Sequence, residues 1–263
     1  MKAILVSWTV FVVVFSGGYA GIALRPLLAD SQLGPDAKDI IRLATGLLVT
    51  MTALVLGMLV SSANSSYQDR KNELAEMASD FIVVDQLLAS YGGETQAIRE
   101  ELRGLAESGL ELIWPSELSR RAKLKPGAKR KPGAKLNPGA NGQGFYRQLQ
   151  ILAPKNDAQA AAKTAATSAA ISLRRTYWLM SLKTEQNSLS FPLLLVLVSW
   201  LTAIFIGFGL FGPRNYTVIV TLLACALAVS GAIFIILEMY TPFSGIMKIS
   251  PSPMHYALSQ MGS

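Results

Sequence analysis

The chain has 263 residues, of which 51% are hydrophobic, with a formal net charge of +7 and a mean hydropathy of +0.37. One cysteine, Cys225, and one histidine, His255, exclude an intrachain disulfide, a thiol or histidine ligand set and a Ser/His triad within one chain. The charge is uneven: eighteen basic and thirteen acidic residues fall between Asp69 and Glu185. That excess is dispersed and carries no nucleic-acid recognition motif, so it suits an anionic leaflet and no specific nucleic acid.

Four stretches lack Asp, Glu, Lys, Arg and His: Ala3 to Leu24, Leu43 to Gln68, Gln186 to Pro213 and Asn215 to Leu237. A bilayer core about 30 Å thick is crossed by roughly 20 apolar residues of helix, so each is long enough to span. Helices are also the solution lipid demands, because every backbone donor and acceptor must be satisfied within the segment. The expected fold is all-α, with four transmembrane helices in two hairpins and a cytoplasmic helical bundle between spans 2 and 3. The expected boundaries are 1–68 for the first hairpin, 69–189 for the helical block, 190–239 for the second hairpin and 240–263 for an interfacial tail.

With four spans, both termini and the block share one side. Lys2, Arg70, Lys71, Arg174, Arg175, Lys183 and Lys248 lie near span ends on that side, against Arg25, Lys38, Arg42 and Arg214 on the other. The positive-inside bias makes the richer side cytoplasmic, and the membrane a plasma or bacterial inner membrane. A cleaved signal peptide over Met1 to Ala20 competes, with Lys2 before the apolar run and Gly18, Tyr19 and Ala20 as cleavage context. The run continues to Leu24, which favours a span.

Along the second span, Gly46, Thr50, Ala53, Gly57, Ser61 and Asn64 recur three or four apart and share a helix face. Two readings stand: close helix packing through small residues, or the lining of a water-filled pathway around the axis of an oligomer. No ionisable residue lies near mid-span, so proton relays, voltage sensors and ion-coupled pumps fit poorly. Beyond Ser65 the apolar residues Leu74, Met77, Ala78, Phe81, Val84, Leu87, Leu88 and Tyr91 continue at helical spacing to the Gly92-Gly93 break. A helix from Lys38 to Tyr91 would be about 80 Å long at 1.5 Å per residue.

Thr95 is a candidate N-cap for a helix carrying Ile98, Leu102, Leu105, Leu110 and Ile113, and another helix runs from Ala158 toward Leu182. Between them, KPGAKR, KPGAKL and NPGANG repeat over Lys125 to Gly142, and the Pro-Gly pairs predict a disordered basic loop over 123–144. Lys125, Lys129, Arg130, Lys131 and Lys135 would meet anionic headgroups or remain solvated. The third span opens at Ser190, Phe191 and Pro192 and closes at Gly212-Pro213, leaving a short link to the fourth.

The run Leu237-Glu238-Met239, then Pro242-Phe243-Ser244-Gly245, then Ile249-Ser250-Pro251, follows a third span reading SFPLLLVLVSWLTAIFIGFGLFGPRN. In these the chain resembles the bestrophin-like domain family (DUF4239) of bacterial and plant proteins over most of its length, with the basic loop as an insertion. The resemblance implies a four-span subunit whose second span surrounds an axial anion pathway in a homo-oligomer. Bestrophins constrict that pathway with apolar and aromatic residues, whereas this stripe is small and polar, with Leu47, Leu54 and Met58 on neighbouring faces. No acidic loop matches a bestrophin calcium clasp, and Tyr240 stands where the family often has Asp.

Glu238, Pro242, Phe243, Ser244 and Gly245 form a motif at the cytoplasmic mouth, read either as an ion or partner site or as a structural cap ending the helix at Pro242. The functional expectation is a homo-oligomeric passive anion channel-like protein without cofactor or metal. The alternative is a non-conducting membrane scaffold or signalling adaptor. An enzyme is remote, because no nucleophile with a base, membrane carboxylate pair, phosphate loop or metal spacing occurs.

Overall fold

A computed structural model describes residues 2–27, 35–114, 138–186, 191–213, 215–243 and 245–261. Described elements are all helical: α1 (Lys2–Leu24), α2 (Pro35–Tyr91), α3 (Gln96–Ile113), α4 (Pro138–Ile151), α5 (Asp157–Gln186), α6 (Phe191–Phe211), α7 (Tyr216–Met239) and α8 (Ser252–Gln260), with short 3-10 turns at Arg25–Leu27 and Gly93–Thr95. The chain divides into two units, 1–68 with 187–247 and 69–186 with 248–263. Four helices of the first unit's apolar stretches are long enough to cross a membrane.

In the first unit α1 is the span that closely approaches both α6 and α7, so sequence neighbours are not its tightest partners. The cause is a glycine face. A methyl group added to Gly21 would overlap the Ile206 carbonyl oxygen, and one on Gly209 would overlap the Gly18 carbonyl oxygen. Lipid offers no hydrophobic drive between helices, so backbone approach and dispersion across small residues hold them together. Around this contact Val10, Val14, Leu197, Leu201, Phe205, Leu222, Ala226, Ile233 and Ile236 form a core that Leu59 and Ala63 of α2 join. Arg25 Nη1 donates to the Gly212 carbonyl at 2.8 Å, tying the ends of α1 and α6.

The second unit is an amphipathic bundle. Its part of α2 buries Leu74, Met77, Ala78, Phe81, Val84, Leu88 and Tyr91, with Leu87 half-buried. Also buried are Ile98, Leu102, Ala106 and Leu110 of α3 and Ala166, Ala170 and Leu173 of α5. Gly92 supplies the break, at φ 130°. Thr95 does not cap α3: its hydroxyl reaches back to the Leu88 and Gly92 carbonyls at 2.6 and 2.8 Å, closing the end of α2 instead. Asp85, nearly inaccessible, takes two bonds from Arg99 at 2.8 and 2.7 Å, the bidentate geometry that offsets carboxylate burial.

Two expectations need correction. Of the loop expected over 123–144, residues 138–144 belong to α4, which begins at Pro138, and 123–137 lie outside the described residues. Pro in a first helical turn lacks only an N–H that would have had no partner, so Pro-Gly opens a helix here. Phe145 and Leu149, four residues apart, are buried and anchor it. The tail is not one interfacial segment either. Residues to Met247 belong to the membrane unit, whereas Ile249, Met254, Ala257, Leu258 and Met261 are buried in the helical unit. Trp114 Nε1 donates to the Ile249 carbonyl at 3.0 Å and Arg103 Nη1 to the Met261 carbonyl at 2.9 Å.

The glycine contact predicts that Gly209→Leu lowers the thermal stability of purified protein by about 1–3 kcal/mol through overpacking. Gly46→Ala, where an added methyl meets nothing within 4 Å, should leave it unchanged or slightly raised. A second expectation concerns Asp80, whose Oδ2 is buried without a hydrogen-bond partner among the described residues. Burial pushes this carboxyl above the ordinary value of 3.8, Ser172 opposing and Glu76 reinforcing the shift. A raised folded-state value means that its favourable contribution is complete below the unfolded value and lost as pH rises through the folded one. Asp80→Asn should therefore raise the melting temperature at neutral pH and flatten its rise on acidification.

Candidate functional site

The second span has three distinct faces. Thr52, Leu59 and Ala63 are buried, Val55 and Leu56 pack against the core, and Thr45 approaches Gly207. These positions repeat with the helical period and form the side laid on the rest of the membrane unit. Gly46, Thr50, Ala53, Gly57, Ser61 and Asn64 are all exposed, and an added methyl on Gly46 or Gly57 would meet open space. Close packing within the chain therefore does not account for the stripe. Leu47, Leu54 and Met58, 63%, 75% and 76% exposed, make the third face.

The coverage of α2 is unusual among the spans. Only 11% of its apolar window is buried within the chain, against 28% to 33% for α1, α6 and α7. Polarity on the small-residue face is muted in the helix: Thr50 Oγ1 donates to the Leu47 carbonyl at 2.8 Å. On the packed face Thr52 Oγ1 is buried without a partner among the described residues. No sequence signal marks that difference, because a threonine's neighbours across helices decide it.

At the end of α7 the structure assembles the motif around a buried carboxylate. Glu238 is 2% exposed, and its Oε2 accepts hydrogen bonds from the backbone N–H groups of Ile246 at 2.6 Å and Met247 at 3.3 Å. Gly245 sits at φ 101°, and a methyl group there would overlap that carboxylate. The helix ends at Met239, and Pro242 and Phe243 are half-buried in the turn that follows. Ser244 lies outside the described residues, as do Lys125, Lys129, Arg130, Lys131 and Lys135. The amides of Ile246 and Met247 are the partners that sequence reading missed, since backbone donors carry no residue signature. Ser62 Oγ and Tyr240 Oη lie 3.3 Å apart, a second contact between α2 and the residue following α7.

Among the described residues no group of three or more His, Cys, Asp and Glu side chains is placed to hold a metal ion. The site thus consists of the largely uncovered, charge-free stretch of α2 from Leu43 to Gln68 and a carboxylate-held turn at the end of α7.

A family model described as the bestrophin-like domain matches residues 10–254. The chain belongs to the bestrophin-like family. Its fold is also that of a crystallised point variant of a bacterial bestrophin homolog from Klebsiella pneumoniae. The two are 14% identical and superpose with a TM-score of 0.66 over 99% of this chain and 98% of that one. At that identity the likeness establishes fold. No curated protein matches the sequence. Family membership makes the four apolar helices those of a membrane protein and the chain a member of a channel-like family.

The Glu238 turn yields a prediction. Gly245→Ala introduces both an unfavourable φ and an overlap with Glu238, and should cost about 1–3 kcal/mol. Limited proteolysis should show earlier cleavage around 242–247. Glu238→Gln keeps the shape and one acceptor, so its effect should be smaller than that of Glu238→Ala, which strands two amide donors.

Proposed function

We propose that the protein is a homo-oligomeric, passive conductor of small anions in which α2 lines an axial pathway. The observation that carries this reading is the exposure of α2 on two faces of different chemistry. A single chain leaves Leu47, Leu54 and Met58 bare beside a small, weakly polar stripe. A ring of copies would pack the large side chains between subunits and turn Gly46, Thr50, Ala53, Gly57, Ser61 and Asn64 toward the axis. Membership of a channel-like family supports the same arrangement.

A pathway of hydroxyl, amide and backbone groups without charge suits weakly selective passage rather than pumping, which needs ionisable groups inside the membrane. Preference for anions follows from the basic excess between Asp69 and Glu185 on the side we assign to the cytoplasm, together with both termini. The membrane is then the bacterial inner membrane. Lys125, Lys129, Arg130, Lys131 and Lys135 would add contact with anionic headgroups, at about 1 kcal/mol each near the surface. In this scheme Glu238 acts as a structural anchor at the cytoplasmic mouth, fixing the turn rather than binding the ion. The competing scaffold reading draws on exposed apolar side chains of the helical unit, Leu112, Ile151 and Trp178.

Anion flux into liposomes separates the two when oligomeric mass is measured on the same sample. Thr50 is exposed and bonded only to its own helix, so Thr50→Trp should leave the fold and mass intact while abolishing flux. A monomer, or an assembled wild type with no flux above empty liposomes, would remove the channel reading in favour of the scaffold.

A further inference from the structure

We propose that the last turns of α5 form a docking surface for anionic phospholipid of the adjoining leaflet. α5 runs antiparallel to the second part of α2, and three contacts fix its register. Gln159 Nε2 donates to the Tyr91 carbonyl at 3.0 Å, Asp80 meets Ser172, and Arg70 Nη1 donates to the Met180 carbonyl at 2.9 Å. Arg70 is the second charged residue after the charge-free run that ends at Gln68, so the register gives α5 a depth. Leu182 lies level with Asp69 and Arg70, where α2 leaves the hydrocarbon. Trp178 lies about 6 Å farther out at 1.5 Å per residue, and Ile171 about 16 Å out. The polar layer outside the hydrocarbon core is roughly 5–7 Å deep on each side, so it takes in Trp178 and excludes Ile171.

The side chains exposed at that depth suit an interface. Trp178 is 49% and Leu182 58% exposed, and by helical spacing they share a face of α5 with Arg175. Tyr177, half-buried, meets the Trp178 ring edge-on at 5.7 Å between centroids. Tryptophan, with an apolar ring and one N–H, is enriched where hydrocarbon gives way to headgroups. The charged residues of α5 from Thr164 to Thr184 are Arg174, Arg175 and Lys183, all basic. Arg174 is braced over the Tyr146 ring, 5.1 Å from its centroid, and Arg175 makes no ion pair or hydrogen bond among the described residues.

Both arginines are exposed and lie about one turn below Trp178. From there a long side chain reaches toward phosphate while its methylenes lie along apolar surface. A guanidinium takes two phosphate oxygens at once, and a headgroup of net negative charge gains most from it. An apolar partner would leave these cations without counter-charge, whereas an anionic leaflet supplies it at the depth where they stand. Seated there, α5 ties the part of α2 outside the membrane to the headgroup layer through the bond between Arg70 and Met180. This assignment requires only that the protein is a membrane protein and is independent of conduction.

The test uses the whole protein in liposomes of phosphatidylcholine and phosphatidylglycerol, spin-labelled at Leu182→Cys or Ile171→Cys in a Cys225→Ser background. The label at 182 should collide with oxygen in preference to a water-soluble nickel chelate, and the label at 171 should show the reverse. Nickel access at 182 equal to that at 171 would overturn the proposal. So would shielding of 182 from both reagents, which would make a protein surface, such as a second copy, the occupant. The charge requirement is read by native mass spectrometry of protein released from the same liposomes. Wild type should retain phosphatidylglycerol above its share of the bilayer, and Arg175→Gln and, separately, Arg174→Gln should lower that excess several-fold at unchanged oligomeric mass. Equal retention by wild type and both variants would overturn the assignment to anionic lipid.

Discussion

Backbone contact between α1 and α6, permitted by Gly21 and Gly209, sets the geometry on which the membrane unit depends. In lipid the usual reward for covering apolar surface is absent, so helices associate where their backbones can come near. α1 takes that position against α6 and also packs on α7. The core thus formed is nearly complete without α2, which contributes Leu59, Ala63 and partly buried neighbours. Most of the second span is therefore left for lipid or for other copies of the chain, and the functional proposal follows from that surplus of uncovered surface.

Much of this architecture was legible in the sequence because the signals are long and one-dimensional. Apolar runs free of charge marked all four spanning helices, and the apolar stripe from Leu74 to Tyr91 gave the buried face of the second part of α2. What escaped depended on three-dimensional neighbours. Pro138-Gly139 has the composition of a break, yet proline in a first turn is compatible with helix, and Phe145 and Leu149 supply the burial that draws α4 into the bundle. Thr95 has the residue type of an N-cap, but the turn at Gly92 aims its hydroxyl backward. The choice of α6 and α7 as the partners of α1 could not be read from hydropathy, because every span looks equally apolar along its length.

The stripe on α2 was visible as a spacing of small residues, but not which surface it faces. That depended on finding Thr52, Leu59 and Ala63 on the buried side, which leaves Gly46, Thr50 and Gly57 pointing away from the rest of the chain. At the α7 terminus the motif itself was evident, while its mechanism was hidden in backbone amides. Glu238 is buried, and its carboxylate organises the turn from Gly245 to Met247 by accepting the N–H groups of Ile246 and Met247. Such a carboxylate is held in place by main-chain donors that any sequence would provide, and the glycine beside it is the residue that the geometry demands.

The central claim is that α2 presents its small-residue face to water and its large apolar face to protein or lipid. The most direct measurement is the reaction rate of a charged, membrane-impermeant thiol reagent with single cysteines along α2, in liposomes and in a Cys225→Ser background. The account predicts fast modification of Gly46→Cys, Thr50→Cys, Gly57→Cys and Ser61→Cys, with little at Leu47→Cys, Leu54→Cys and Met58→Cys. Uniformly slow modification of both faces, in protein shown to be folded and inserted, would contradict it.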